Sequence, residues 1–291
     1  MKLDRIIIFS FVIIFFLSCN QKKNSKNSSA VSASNLKISV VEPPNWWVGM
    51  ESENLQLLIH HPNISDYKPE INYQGVSIKK TTPASKSNNY LFVDLEIPKN
   101  TTPGKFDILL NKGNTDGYIY TYELKSRVKL ANDYKGFNSS DAIYLITPDR
   151  FANADKSNDI NIHFKEFTID RTDSYKRHGG DLQGITNHID YISDLGFTTI
   201  WPTSVLTNNM PKGSYHGYAI TDYYKVDPRF GSLDDYKNLA YKLSTKGMKL
   251  IMDQVANHCG LEHWWMKDLP FENWVNDQKN YENNIENWSY K

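Results

Sequence analysis

Apolar residues change their spacing once along this 291-residue chain, and that change limits what each part can fold into. From Leu36 to about Leu130 they alternate with period two, as in Leu55/Leu57/Ile59, Phe106/Ile108/Leu110 and Tyr118/Tyr120/Tyr122/Leu124. Successive side chains of a strand point to opposite faces, so each run places its apolar groups on one face. Pro43-Pro44, Pro62-Asn63, Gln74-Gly75, Pro103-Gly104 and Asp116-Gly117 supply turns between them. Short strands at this spacing predict a β-sandwich of immunoglobulin-like size over residues 36–130. Trp46 and Trp47 suit core packing or a domain interface, or else a platform for stacking sugars.

After Lys129 strand and helix patterns alternate. Asp141–Ile146 is a buried-strand run, and Leu182, Ile185, Ile189, Ile192 and Leu195 line one helix face that Gly196 caps. Phe197–Trp201 is a second strand. Ser232 and Asp235 open a second helix carrying Leu233, Tyr236, Leu239, Ala240 and Leu243, which ends at Gly247, and Lys249–Asp253 is a third strand. This order calls for parallel pairing with right-handed crossovers, in a doubly wound sheet or in the opening of a (β/α)₈ barrel. No Gly-x-Gly-x-x-Gly follows the first strand and no P-loop occurs, which speaks against nucleotide binding.

The N-terminus is an address. Lys2 and Arg5 precede an apolar run from Ile6 to Leu17, too short to span a bilayer comfortably, that ends Leu17-Ser18-Cys19. Residues 1–19 have the form of a lipoprotein signal with Cys19 as the lipidated residue, or else of an ordinary cleaved signal with a chance cysteine, and Asn20–Asn35 read as a flexible tether. The expectation is an exported bacterial lipoprotein held to a membrane by its N-terminal lipid, on the periplasmic side, because Asn20-Gln21-Lys22 carry no acidic cluster. Lipidation would leave Cys259 a lone thiol. With 33 Lys and Arg against 33 Asp and Glu, the chain lacks the basic excess of a nucleic-acid binder.

In either parallel architecture chemistry gathers at the C-terminal ends of the strands, and three clusters fall there. Asp149–Asp159 offers Asn153, Asp155, Asn158 and Asp159 as hard oxygens, with Gly179 and Asp181 nearby, either for Ca²⁺ or as an Asx-rich turn. Tyr215-His216-Gly217-Tyr218 follows the second strand and suits a sugar, whose C–H faces stack on rings, or else is a buried aromatic group. Asp253-Gln-Val-Ala-Asn257-His258 ends the third strand with a carboxylate, an amide and an imidazole, an expensive set to bury without purpose. His60-His61 show no metal spacing and are expected at the surface.

In this order the clusters resemble the α-amylase superfamily of glycoside hydrolases, nearest its neopullulanase/cyclomaltodextrinase branch. Asp253–His258 is similar to the Asp-x-x-x-Asn-His signature, and Tyr215–Tyr218 with Val226-Asp-Pro-Arg-Phe-Gly231 to the Tyr-His-Gly-Tyr segment. Asp149–Asp159 with His178-Gly-Gly-Asp181 resembles that branch's calcium loop, and Val41–Gly49 the opening of its N-terminal sandwich. The resemblance implies a β-sandwich followed by the first part of a (β/α)₈ TIM barrel over residues 138–291, including strands one to three. It implies that His216 and His258 bond glucose hydroxyls, Tyr218 stacks on the ring and Asp253 supports the site from beneath. It also implies structural Ca²⁺ on Asn153, Asp155, Asn158, Asp159, Gly179 and Asp181, α-glucan oligosaccharides as partners, and dimerisation through the N-terminal domain. Trp201-Pro-Thr-Ser-Val205 departs from the family's Asn-Pro turn.

The family cleaves α-glucosidic bonds with retention, using two carboxylates about 5 Å apart. By resemblance the nucleophile ends strand four, and the acid/base and an assisting third carboxylate follow strands five and seven, beyond Lys291, since residues 138–291 fall short of the roughly 250 of a whole barrel. Residues 1–291 alone are thus expected to fold poorly and hydrolyse nothing, with a glucan-binding lipoprotein or an inactive product as alternatives. Leu261–Lys291, rich in Trp264, Trp265, Trp274 and Trp288, begins the long loop after strand three, its aromatics packing that loop or lining the groove.

Overall fold

The computed structural model describes residues 38–113, 115–127 and 136–285, so the signal ending at Cys19 and the tether Asn20–Asn35 lie outside the described residues. Two four-stranded sheets form the first unit. One runs β1 (Val40–Glu42), β3 (Asn54–His60), β6 (Tyr90–Glu96), β5 (Ser77–Pro83), all antiparallel neighbours. The other runs β2 (Trp46–Trp47), β8 (Thr115–Lys125), β7 (Gly104–Lys112), β4 (Lys68–Ile71), with β2 parallel to β8. Alternation sends Leu57, Ile59, Val93, Leu95, Ile108, Leu110 and Tyr122 into one core between the sheets, a β-sandwich. Trp46 packs on that core, whereas Trp47 is exposed beneath the Lys125 ammonium. Asp116-Gly117, expected as a turn, lies inside β8, and the chain reverses three residues earlier, at Gly113.

Strand β6 breaks the one-face pattern. Leu91, Val93 and Leu95 point inward, but Tyr90 and Phe92 on its other face are buried too, with Leu58 and Ala84, against Trp264, Trp265, Phe271 and Trp274. Thus the aromatic segment after residue 260 packs on the outer face of the sandwich. The Tyr90 hydroxyl donates to the Asp268 carbonyl, Asn89 Nδ2 donates to Asp268 Oδ2 at 2.8 Å, and Lys86 pairs with Glu272 and Glu282. His60 is not the surface group its sequence suggests: it pairs with Asp268 at 3.2 Å and packs at a tilt against the Tyr90 and Trp264 rings.

The second unit is a parallel sheet ordered β13 (Lys249–Leu250), β10 (Thr199–Pro202), β9 (Ile143–Ile146), the beginning of a barrel. Between β9 and β10 come α1 (Pro148–Phe151), α2 (Leu182–Asn187) and α3 (Ile189–Asp194), and α4 (Leu233–Thr245) joins β10 to β13. Leu182, Ile185, Ile189, Ile192, Leu239 and Leu243 pack with Ile146 and Ile200 as one core. The other sheet face is open, so Ile143 and Leu145 are 42% and 56% exposed, against the expectation of a strand buried on both faces.

The single helix expected over Leu182–Leu195 is two. His188 Nδ1 lies 2.7 Å from the Gly184 carbonyl, the acceptor its own amide would use in a continuous helix, and that amide bonds Ile185 instead. Helix α4 begins as the sequence implies, with Ser232 Oγ accepting from the Asp235 amide and Asp235 Oδ2 from the Ser232 amide. The third strand is shorter than expected: beyond Leu250 only the Ile251 amide continues the ladder, to Ile200 O at 2.9 Å. A two-stranded ribbon, β11 (Leu206–Thr207) with β12 (Asp222–Val226), carries the Tyr215–Tyr218 turn between its strands.

Candidate functional site

Asp253 follows the end of β13 and Trp201 lies in β10, so parallel pairing brings both to one edge of the sheet. Asp253 Oδ2 accepts from the Trp201 indole N–H and from the Tyr218 hydroxyl, each at 3.1 Å. Burial, and then the Asp253 charge, raise the Tyr218 pKa, so the phenol stays a donor. Trp201, where the sequence departs from the family pattern, is therefore part of the cluster itself.

Both histidines reach this point through the backbone of Tyr218. The Tyr218 amide donates to His216 Nδ1 at 2.9 Å, which leaves the neutral imidazole's proton on Nε2. Burial lowers the His216 pKa, Glu166 opposes and His258 adds to that shift. His258 Nε2 donates to the Tyr218 carbonyl at 2.8 Å, and His258 Nδ1 accepts from Asn257 Nδ2 at 3.0 Å. His258 is exposed with both ring nitrogens engaged, so contact with a ligand exchanges one of these bonds. The His216 and Tyr218 rings lie nearly parallel, 20° apart, with centroids 5.9 Å apart. Four residues singled out by sequence, Asp253, Tyr218, His216 and His258, thus meet.

The turn is fixed from behind. Gly217 has a φ of 81° and sits against the Ser204 carbonyl, where any Cβ would clash. The Arg150 guanidinium lies 4.0 Å from the Tyr215 ring centre and bonds the Ser174 and Lys176 carbonyls. Arg150, Glu166 and Arg229 were not legible as site residues. Arg229 belongs to the Val226–Gly231 segment already singled out, but Glu166 sits in an irregular stretch with no periodicity to flag it.

The Asx-rich loop folds around Asp149, whose buried carboxylate accepts from the His178 amide at 2.8 Å and the Gly179 amide at 3.2 Å. Asp181 caps α2 through Oδ1, while its Oδ2 accepts from the Ala154 and Asp155 amides. Asp155 Oδ1 accepts from Ser157, and Asn153 Nδ2 donates to Asp159 Oδ1 at 2.6 Å. Asn153 Oδ1 and Asn158 Oδ1 are buried acceptors with no partner, and a Cβ on Gly179 would strike Asp159 Oδ1 and Asn153 Nδ2. Partnerless amide oxygens in a loop where the Asp159 carboxylate lies beside Asn153 suit a hard cation. Among the described residues no three His, Cys, Asp or Glu side chains are grouped to hold a metal, so the fit rests on the asparagines.

Beside His258 a cavity of ≈ 500 Å³ is lined by Tyr223, Asn257, Trp265, Met266, Trp274 and Tyr281. The segment's aromatics therefore pack the sandwich and also line the cavity beside His258. Cys259 borders it, its thiol pKa raised by burial.

Two family models match the chain: the catalytic domain of alpha-amylase over residues 145–286 and the N-terminal domain of cyclomaltodextrinase over residues 40–128. Among similar proteins are a beta/alpha-amylase of Paenibacillus polymyxa, 43% identical over 42% of this chain and 10% of its own length, and a cyclomaltodextrinase of Thermoanaerobacter pseudethanolicus, 41% identical over 44% and 21%. A neopullulanase of Thermoactinomyces vulgaris is 35% identical over 44% of this chain and 21% of its own length. The chain thus spans a tenth to about a fifth of these relatives.

Proposed function

We propose that the chain, which matches the alpha-amylase catalytic domain over residues 145–286 and the cyclomaltodextrinase N-terminal domain over residues 40–128, forms part of a glycoside hydrolase of the α-amylase family acting on α-glucans. The observation that carries this reading is the convergence of Trp201, Tyr218, His216 and His258 around Asp253 at one edge of the parallel sheet. A glucose ring offers apolar C–H faces and a rim of hydroxyls, and this cluster offers an aromatic face beside N–H groups. In this reading Tyr218 stacks on the sugar. His216, neutral because it is buried, donates from Nε2 to a hydroxyl, and His258 contributes from the other side. Asp253 supports rather than attacks, since its Oδ2 is already committed to Trp201 and Tyr218.

Cleavage would proceed with retention through two carboxylates about 5 Å apart, one attacking the anomeric carbon and one protonating the leaving oxygen. In the same reading the two-sheet sandwich is the immunoglobulin-like domain of that branch. Of the six expected residues, the partnerless Asn153 and Asn158 oxygens with Asp159 and Gly179 would hold Ca²⁺, Asp155 and Asp181 already accepting from Ser157 and from the Gly184, Ala154 and Asp155 amides, and the chemistry it would supply is structural.

The test uses the protein purified from its own cells. Maltoheptaose, cyclodextrin and pullulan are each expected to release reducing ends whose first-formed anomer is α. Tyr218→Ala is expected to weaken maltoheptaose binding roughly ten-fold, about 1.4 kcal/mol. Saturable binding without cleavage would replace hydrolysis with glucan capture, and no binding at all would end the sugar reading.

A further inference from the structure

Behind the Tyr215–Tyr218 turn lies a buried polar knot. Glu166 is 4% exposed, and Asn208, Ser214, Asp227 and Arg229 are fully buried. Glu166 Oε2 accepts from the Ser214 amide at 2.8 Å, and the Glu166 carbonyl accepts from Arg229 Nη1 at 2.7 Å. Arg229 Nη1 also donates to Ser214 Oγ, its Nη2 donates to Asn208 O and Asp227 Oδ2, and Asn208 Nδ2 donates to Ser214 O. Ser214 is therefore held by its amide, hydroxyl and carbonyl at once. It opens the short 3₁₀ turn Ser214–His216, so whatever fixes Ser214 aims His216 and, two residues on, Tyr218.

A carboxylate is a costly choice for this anchor. Glu166 Oε1 is buried without a partner, and a neutral amide could accept the same Ser214 bond. The negative charge has a second neighbour, however: it raises the pKa of His216 against burial and against His258. The other charged and titratable groups around His216 are Tyr215 and Tyr218 on its own turn, Arg150 over Tyr215, Asp253 through Tyr218, and Arg229 behind Ser214.

We propose that Glu166 is a positioning residue for the turn that carries Tyr215, His216 and Tyr218, its carboxylate anchoring the Ser214 amide. The proposal rests on the sugar reading only for what the turn presents. Glu166 acts through His216 and Tyr218 and touches no sugar itself.

The test is a nuclear magnetic resonance titration of histidine ring signals in the full chain, native and Glu166→Gln. The variant keeps the size and the acceptor but loses the charge. It is expected to lower the His216 titration midpoint by about 0.5 or more, which a purely structural role would not do. A midpoint within about 0.2 of the native value overturns the proposal. Should the variant fail to fold, hydrogen exchange in the native chain decides: a Ser214 amide bonded to a buried carboxylate is expected to exchange at least about 100-fold more slowly than in a free peptide, and free-peptide exchange overturns the anchor. If His216 shifts as expected but responds to no added maltoheptaose, the sugar reading falls while the anchor stands.

Discussion

Gly217 presses its backbone on the Ser204 carbonyl at positive φ, in the turn that carries His216 and Tyr218. Gly217→Ala must move the turn or strain it. It is expected to destabilise by about 1–3 kcal/mol and to weaken maltoheptaose binding, read by thermal melts and titration. At Glu42, burial and then the Asp222 charge push the pKa up to about 7, while a bond from Trp264 and the Lys225 charge oppose. The unfolded carboxyl has its ordinary value of 4.5. Its stabilising share is thus whole below pH 4.5 and lost as pH rises through 7. Glu42→Gln is expected to raise the melting temperature at pH 8 and to leave it nearly unchanged at pH 5; equal effects at both would refute the assignment. Asp253, His216, Tyr218 and His258 were legible because carboxylates, imidazoles and phenols at strand ends are informative as types. Glu166 and Arg150 were not, because they work by where an irregular loop returns, which spacing does not encode.

Among the elements, the sandwich strands and α4 followed from periodicity and capping, since each is decided by neighbours two to four residues away. The break at His188 was hidden because it depends on one imidazole competing for the Gly184 carbonyl inside an otherwise regular apolar stripe. The β11–β12 ribbon was hidden because its two-residue first strand is too short to show a period. The loop from Asn153 to Asp159 makes a prediction at this scale. If Ca²⁺ fills the partnerless Asn153 and Asn158 oxygens, removing it with EGTA is expected to lower the melting temperature by about 5 °C or more. Asn158→Ala is expected to make the melt insensitive to EGTA. A native melt unmoved by EGTA would return the loop to a self-bonded Asx turn.

For the whole molecule, the decisive contact is the one that periodicity least announced, the outer face of the sandwich beneath the aromatic segment. Tyr90 and Phe92 sit at alternate positions of a strand whose intervening residues fill the inner core, so β6 serves two cores at once. Phe92→Ala removes a ring packed near Phe271 and Trp274 and is expected to cost about 3–5 kcal/mol. Calorimetry is expected to show one melt for the native chain and two for the variant, as sandwich and barrel part; a single melt at lower temperature would mean the two units are coupled elsewhere.

That shared strand also sets a schedule. A ribosome delivers β6 well before the rings that cover it, because Trp264 follows the last described sandwich residue by about 140 positions. At about 5–20 residues per second the interval is on the order of ten seconds. For that long a finished sandwich would present Leu58, Tyr90 and Phe92 to its surroundings, a sticky template awaiting its own chain, and so the natural landing place for a chaperone during synthesis.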